Sequence, residues 1–343
     1  MGYRRCSGCV NGVGVFYFRC GGSFSYYPHN STYNAKRRSY IMMQTKHTPG
    51  CQGSEIDWMQ AIDLNDRIDA KEFRYLHCAH CGLIRLENVP DNMGDYYPSD
   101  YYAIPTIEQL AIIAKKNPFK IDTIQRYKTQ GSLLEIGPSY GVFSFQAKQA
   151  GFEVDVIEMD ERCCDYLSQV VGVNVTCSDS PHDAMSTLRS HDVIALWHVI
   201  EHLPNPWALI CAAAENLKPD GVLVMAAPNP QAWQFHIMGK LWPHLDAPRH
   251  LYLLPAEALT EYAKTLGLER IHFSTTDSDA KQWNRFGWCR LLMNRVRGKW
   301  ISRLAFVLGA VLSVFMAPFE SSDPKGSAYT LVFRKINQTP VSK

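Results

Sequence analysis

The chain has 343 residues, 46% of them hydrophobic, and a formal net charge of +2. That is enough apolar material for a domain of about 200 residues plus a smaller unit, and it excludes a disordered polyelectrolyte. The near-neutral balance excludes a global electrostatic pull toward nucleic acid, and the eleven cysteines are spaced like metal knuckles and scattered core positions, not like a disulfide frame.

Residues 1–43 show no sustained period of 2 or 3.6. Cys6-x-x-Cys9 with Cys20 could be half of a metal site. The favoured expectation is an unstructured extension ahead of a start at Met42 or Met43. The first residues are basic and glycine-rich without an apolar h-region, so no secretory leader and a cytoplasmic, reducing location are expected. Residues 44–103 read as a small unit. His47-x-x-x-Cys51 is followed by Cys78-x-x-Cys81 in a strand running into a turn at Gly82. Two facing turns that carry thiolates make a tetrahedral zinc ribbon, with His47, Cys51, Cys78 and Cys81 as ligands. Thr48 stands where a first C-x-x-C would have its cysteine, so a metal-free ribbon is the competing expectation. Residues 104–130 read as a helical linker.

Leu133–Asp160 is the most informative stretch. Leu133, Leu134 and Ile136 form a short apolar strand ending at Gly137, and Gly141 opens a helix that Gly151 closes. Val154, Val156 and Ile157 form a second strand ending at Glu158. This is a βαβ unit with a nucleoside-type ligand at its first turn: glycines admit the ligand and a carboxylate about 20 residues on accepts the ribose hydroxyls. Ser139 replaces the second glycine of a pyrophosphate fingerprint, and Glu135 would repel a pyrophosphate but attract a cationic ligand. At these residues the chain resembles the class I S-adenosylmethionine-dependent methyltransferases, whose first motif is (D/E)-x-G-x-x-x-G. The resemblance implies a doubly wound α/β, seven-stranded Rossmann-like sheet. It also implies a cofactor site of Glu135, Gly137, Ser139, Gly141, Glu158 and Met159, with Asp179 after the third strand (Val173–Cys177) near the adenine and Trp197 near the reacting methyl. Asp179 could equally be a helix N-cap before Pro181.

His191–Asn229 strengthens the resemblance. A buried strand, Asp192–Trp197, precedes an EHL-type loop, a helix from about Asn205 to Leu217, a Lys218-Pro-Asp-Gly221 turn and an apolar strand, Val222–Ala226, followed by Pro228-Asn229. His198-Val-Ile-Glu201-His202 also matches the inverted zinc-peptidase signature. Pro204 and Pro206 cut off the long helix such a peptidase needs. Methyl transfer needs a positioned nucleophile and a proton acceptor. His198 leads as the base, with His250, in Asp246-Ala-Pro-Arg-His-Leu-Tyr252, and His202 as the other candidates; each could instead be a structural hydrogen-bonder.

Residues 269–274 and 328–333 read as the sixth and seventh strands of a catalytic domain spanning 131–335, the seventh antiparallel beside the fifth, with 336–343 a tail. An insertion, 277–326, carries Trp283, Trp288, Trp300, the basic run Arg290, Arg295, Arg297, Lys299, Arg303, and the apolar run 304–319. That run is shorter than the roughly 20 residues that span a bilayer. Peripheral membrane contact through 290–319, at the inner face of a membrane, and packing on the protein or in a homodimer are both open. The ribbon, with Cys81-Gly82-Leu83 and the tyrosine-rich 95–102, resembles a sugar-modifying methyltransferase subset. That resemblance implies a sugar acceptor (nucleotide-linked, polysaccharide or glycolipid), O- or C-methylated, and structural zinc. A quinone-like or other lipid acceptor is the second enzymatic expectation. A cofactor-binding scaffold without catalysis is the non-enzymatic one, opposed by His198, Glu158 and the glycine loop.

Overall fold

The computed structural model describes residues 47–97 and 103–336; the expectations for 1–43, for most of 95–102 and for the tail after Ile336 lie outside them. The N-terminal unit contributes β1 (Glu55–Ile62), β2 (Glu72–Cys78) and β3 (Ile84–Leu86). Two helices follow, α1 (Ile107–Lys116) and α2 (Phe119–Gln125). Thr106 caps α1 in a reciprocal box with Gln109, which satisfies two of the free amides of its first turn.

The main sheet is built from β4 (Gly131–Ile136), β5 (Phe152–Glu158), β6 (Asn174–Cys177), β7 (His191–Trp197), β8 (Leu217–Pro228), β10 (Leu268–Ser274) and β11 (Ala328–Lys335), in the order β10-β11-β8-β7-β4-β5-β6. β6, β5, β4, β7 and β8 are mutually parallel; β11 is antiparallel to both β8 and β10. Leu133, Leu134, Val193, Ile194, Val222 and Leu223 are all fully buried, as expected of central parallel strands covered on both faces. Helices α3 (Val142–Gln149), α4 (Glu161–Tyr166), α5 (Pro181–Met185), α6 (Pro206–Asn216), α7 (Trp233–Met238) and α8 (Ala256–Thr265) complete the layers. Asp220, in the Lys218–Gly221 turn, takes φ +60, a left-handed conformation that aspartate tolerates better than most residues.

The small unit is not a free-standing ribbon. Its sheet runs β1-β2-β3-β9, and β9 (Tyr252–Leu253) comes from the main domain, just after the PRHL segment. Phe73, Tyr75 and Leu83 share one core with Trp242, Tyr252 and Leu254. Arg249, 1% exposed, pairs with Asp63 of the small unit at 2.9 Å and with Asp246 at 2.7 Å.

One further point departs from the cysteine spacing: Cys164 and Cys177 form a disulfide between α4 and the end of β6. Residues 277–326 form a helical hairpin, α9 (Ser278–Met293) and α10 (Lys299–Glu320).

Candidate active site

The glycine loop after β4 carries three left-handed residues at alternate positions: Gly137 at φ +66, Ser139 at +56 and Gly141 at +80. A Cβ on Gly137 would meet Val199 Cγ2 at 2.7 Å, and one on Gly141 would meet Leu167 Cδ2 at 2.4 Å, so both positions require glycine. Glu158, buried at the end of β5, accepts from Ser139 N at 2.9 Å through Oε2 and from Met159 N at 2.8 Å and Asp160 N at 3.0 Å through Oε1. Backbone amides thus fix the carboxylate against the glycine loop. Oε2, with one amide donor, keeps acceptor capacity for a further hydroxyl. Ser178 N donates to Glu158 O at 2.8 Å, which sets Asp179, exposed at the end of β6, on the same rim. Met159, also exposed, follows Glu158 directly.

Glu135 is buried beneath this loop and accepts from Ser144. Burial pushes its carboxyl up to about 7, against the opposing charge of Lys120. Lys120, on α2, escapes the sequence reading. Its ammonium lies 5.2 Å from the centroid of Trp197 and faces Glu135 and Asp279, and burial lowers its pKa. A lone lysine in an amphipathic segment carries no motif, so only the tertiary arrangement reveals it. A cationic amine and a carboxylate at one end, and a diol acceptor at the other, match an amino acid joined to a nucleoside. The chain's residues fit S-adenosylmethionine: Glu158 would hold the ribose, Glu135 the ammonium group and Lys120 the carboxylate.

The second half of the site follows β7. Trp197 packs edge-on against Phe143. His198 sits at φ +57, a sparsely populated conformation for a histidine, with its amide bonded to Ala226 O at 2.9 Å. Its Nε2 donates to Asp279 Oδ2 at 2.9 Å, and Nδ1 lies 3.7 Å from Glu201. Burial alone would lower its pKa, but the two carboxylates outweigh it and raise the imidazole to about 9. His198 is therefore an imidazolium at neutral pH. Asp279, in the first turn of α9, is the second unforeseen residue, since Ser278-Asp279 reads as an ordinary helix start.

Ile200–His202 is a single 3₁₀ turn, not the helix of a peptidase. It places Glu201, 1% exposed, at the centre of three imidazoles, with neither carboxylate oxygen hydrogen-bonded. His202 Nδ1 donates to Arg249 O at 3.0 Å and meets Tyr97 Oη at 3.1 Å. His250 Nδ1 donates to His244 O at 2.8 Å. With Nδ1 protonated, each ring keeps its Nε2 lone pair. His250 Nε2 stands 4.0 Å from Glu201 Oε1, and the two rings meet edge-on at 4.6 Å. Burial, then the neighbouring His202, lowers His250 to about 4. The Leu251 N to Glu201 O bond at 2.8 Å pins the PRHL segment to the EHL turn.

Residues 112–272 match the family model for a methyltransferase domain. The chain is an S-adenosylmethionine-dependent methyltransferase. It is 27% identical over 170 residues to a ubiquinone biosynthesis O-methyltransferase of Bordetella avium, covering 45% of this chain and 69% of that protein. It is 28% identical over 167 residues to the Ralstonia nicotianae protein of the same name, covering 45% and 70%. A solved SAM-dependent methyltransferase from Archaeoglobus fulgidus is also similar, with TM-score 0.44, 17% identity, and coverage of 64% of this chain and 96% of that one. The chain thus brings the cofactor-side residues to the ends of β4, β5 and β6, with Trp197 and His198 at the end of β7 and His202 and His250 beside Glu201.

The remaining predicted residues also meet. One ligand atom from each of His47, Cys51, Cys78 and Cys81 falls within 4.8 Å of the others. Cys51 Sγ and Cys78 Sγ are 3.7 Å apart, close to the edge of a tetrahedron built on Zn–S bonds of about 2.3 Å. Burial opposes the Cys81 thiolate, but hydrogen bonds, first from Thr48 and then from the Leu83 backbone and Cys78, together outweigh it and bring the thiol down to about 6. Among the buried polar atoms without a partner is His47 Nδ1.

Proposed function

We propose that the methyltransferase moves a methyl group from S-adenosylmethionine to a hydroxyl oxygen of a sugar, carried on a nucleotide, polysaccharide or glycolipid. The observation that carries the chemistry is the buried Glu201 carboxylate, which accepts no hydrogen bond and faces His198, beside the Nε2 atoms of His202 and His250. When bound, the cofactor supplies an electrophilic methyl group and leaves as a neutral thioether. The chain must orient the hydroxyl and receive its proton. An imidazole Nε2 takes that proton, and Glu201, with Asp246 4.0 Å from His250 Nε2, stabilises the imidazolium formed. His198, already charged and held by Asp279, orients the neighbouring groups.

The sugar class is supported by the ribbon-like unit, whose β3 pairs with β9, two residues after His250, and whose Tyr97 reaches His202. A second reading, a quinone-like acceptor, is favoured by the names of the relatives quoted above. Labelled S-adenosylmethionine, incubated with the enzyme and separate nucleotide-sugar, glycolipid and quinone fractions, distinguishes them. Label in a sugar-containing fraction is expected. Label confined to quinones establishes the second reading in its place.

We propose also that the His47–Cys51–Cys78–Cys81 cluster holds structural zinc. Metal analysis of the purified protein should find about one zinc per chain, lost in the Cys78→Ser/Cys81→Ser variant. Zinc-free native protein would contradict this.

A further inference from the structure

We infer that α10 is a docking surface for an anionic lipid bilayer, lying in the membrane interface and not crossing it. Between Arg303 and Glu320 the helix has no charged residue, and the side turned away from the protein is apolar. Trp300 is 77% exposed, Val314 71% and Phe315 68%, with Leu304, Leu308 and Phe319 each more than half exposed. The side turned inward is small: Ala305, Gly309 and Ser313 are buried at a spacing of four. A Cβ on Gly309 would meet Cys289 Cα at 2.5 Å, so α10 is pressed backbone-to-backbone onto α9. The sequence has therefore placed its small residues against the protein and its large apolar ones against the surroundings, the reverse of a water-facing helix. An apolar stripe of this length on a surface marks a contact with another apolar phase.

Length and composition alone would allow α10 to cross a membrane. Its ends forbid it. At the C-terminal end Glu320 is buried and accepts from Gln234 Nε2 at 2.8 Å and Trp288 Nε1 at 2.9 Å, and Phe319 stacks on Trp233 at 5.0 Å. At the other end Arg67 donates to Asn294 O, and Arg290 donates to Asn65 O, tying the hairpin turn to the N-terminal unit. A helix pressed along α9, which is itself tied to the N-terminal unit, and fixed at its C-terminal end lies flat, its apolar stripe entering the boundary between headgroups and acyl chains to roughly 5–10 Å.

The charges select the lipid. Arg295, Arg297, Lys299 and Arg303 are all exposed around the N-terminal end, and Arg303 lies 5.0 Å over the ring of Trp300. Four cations beside an interfacial tryptophan complement phosphate-bearing anionic headgroups. A second copy of the same surface would set these cations against each other or against apolar side chains. The same hairpin carries Asp279 on α9, so the docked face belongs to the element that holds His198.

The test is co-sedimentation of the full-length protein with vesicles of phosphatidylcholine, with and without phosphatidylglycerol, beside light scattering of the protein alone. The native protein should sediment with the anionic vesicles at least tenfold more strongly than with neutral ones. Val314→Glu/Phe315→Glu, at two exposed positions, should abolish this while keeping its melting temperature and its affinity for S-adenosylhomocysteine. Equal binding to both vesicles, no binding, or a native dimer that the double variant dissociates would each overturn the inference. None of these results depends on which acceptor is methylated.

Discussion

Glu201→Gln should slow methyl transfer by about 10²–10⁴-fold, the range of a general base, while S-adenosylhomocysteine affinity stays nearly unchanged. The variant keeps the shape of a wholly buried side chain and removes the charge that stabilises a proton on His202 or His250. His202→Ala and His250→Ala should each cost a similar factor, and their combination little more, because residues acting as a unit are not additive. His250, lowered to about 4, is unprotonated across the neutral range, so its loss of activity should appear only in strongly acidic buffer. His198 gains protons below about 9, so the enzyme works with this histidine charged. His198→Ala should therefore cost less than Glu201→Gln. Single-turnover kinetics once an acceptor is known would decide. A Glu201→Gln loss below tenfold would place the proton acceptor elsewhere.

Arg249→Leu should lower stability by about 3–5 kcal/mol, because it strands Asp63 and Asp246 without their buried counter-ion. For a domain of this size that is a fall of roughly 10 °C in melting temperature. The effect should reach both units at once, since Arg249 joins the β1–β2 connection to the segment carrying His250, and β9 completes the small sheet. A thermal melt monitored by circular dichroism would show it. A shift of less than about 2 °C would mean that water, not protein, compensates those carboxylates.

What was legible in the sequence was what local spacing encodes. Gly137, Gly141 and Glu158 lie within one βαβ unit, and the turn that needs glycine and the strand end that presents the carboxylate are both short-range consequences of that unit. The antiparallel β11 followed from the resemblance, and the structure places it between β8 and β10. The charge state of His198 was not legible, because Asp279 lies on a helix 81 residues further along and has no motif of its own. Lys120 was hidden for the same reason. The Cys164–Cys177 bridge joins two cysteines that read as core positions, since pairing depends on how α4 returns against β6. Nor could spacing show that the cysteine-bearing unit borrows its fourth strand from the catalytic domain, a pairing made across more than 160 residues.

Binding of S-adenosylhomocysteine to the native protein and to Glu158→Ala tests the cofactor site most directly. Calorimetry should be run above the pKa of about 7 held by Glu135, where that carboxylate is charged. The native chain should bind, and the variant should bind at least tenfold more weakly, because each hydrogen bond to the charged carboxylate contributes about 1.5–3 kcal/mol. A native chain that gives no binding, or a folded Glu158→Ala variant of unchanged affinity, would contradict the assignment of the loop and of Glu158 to the cofactor.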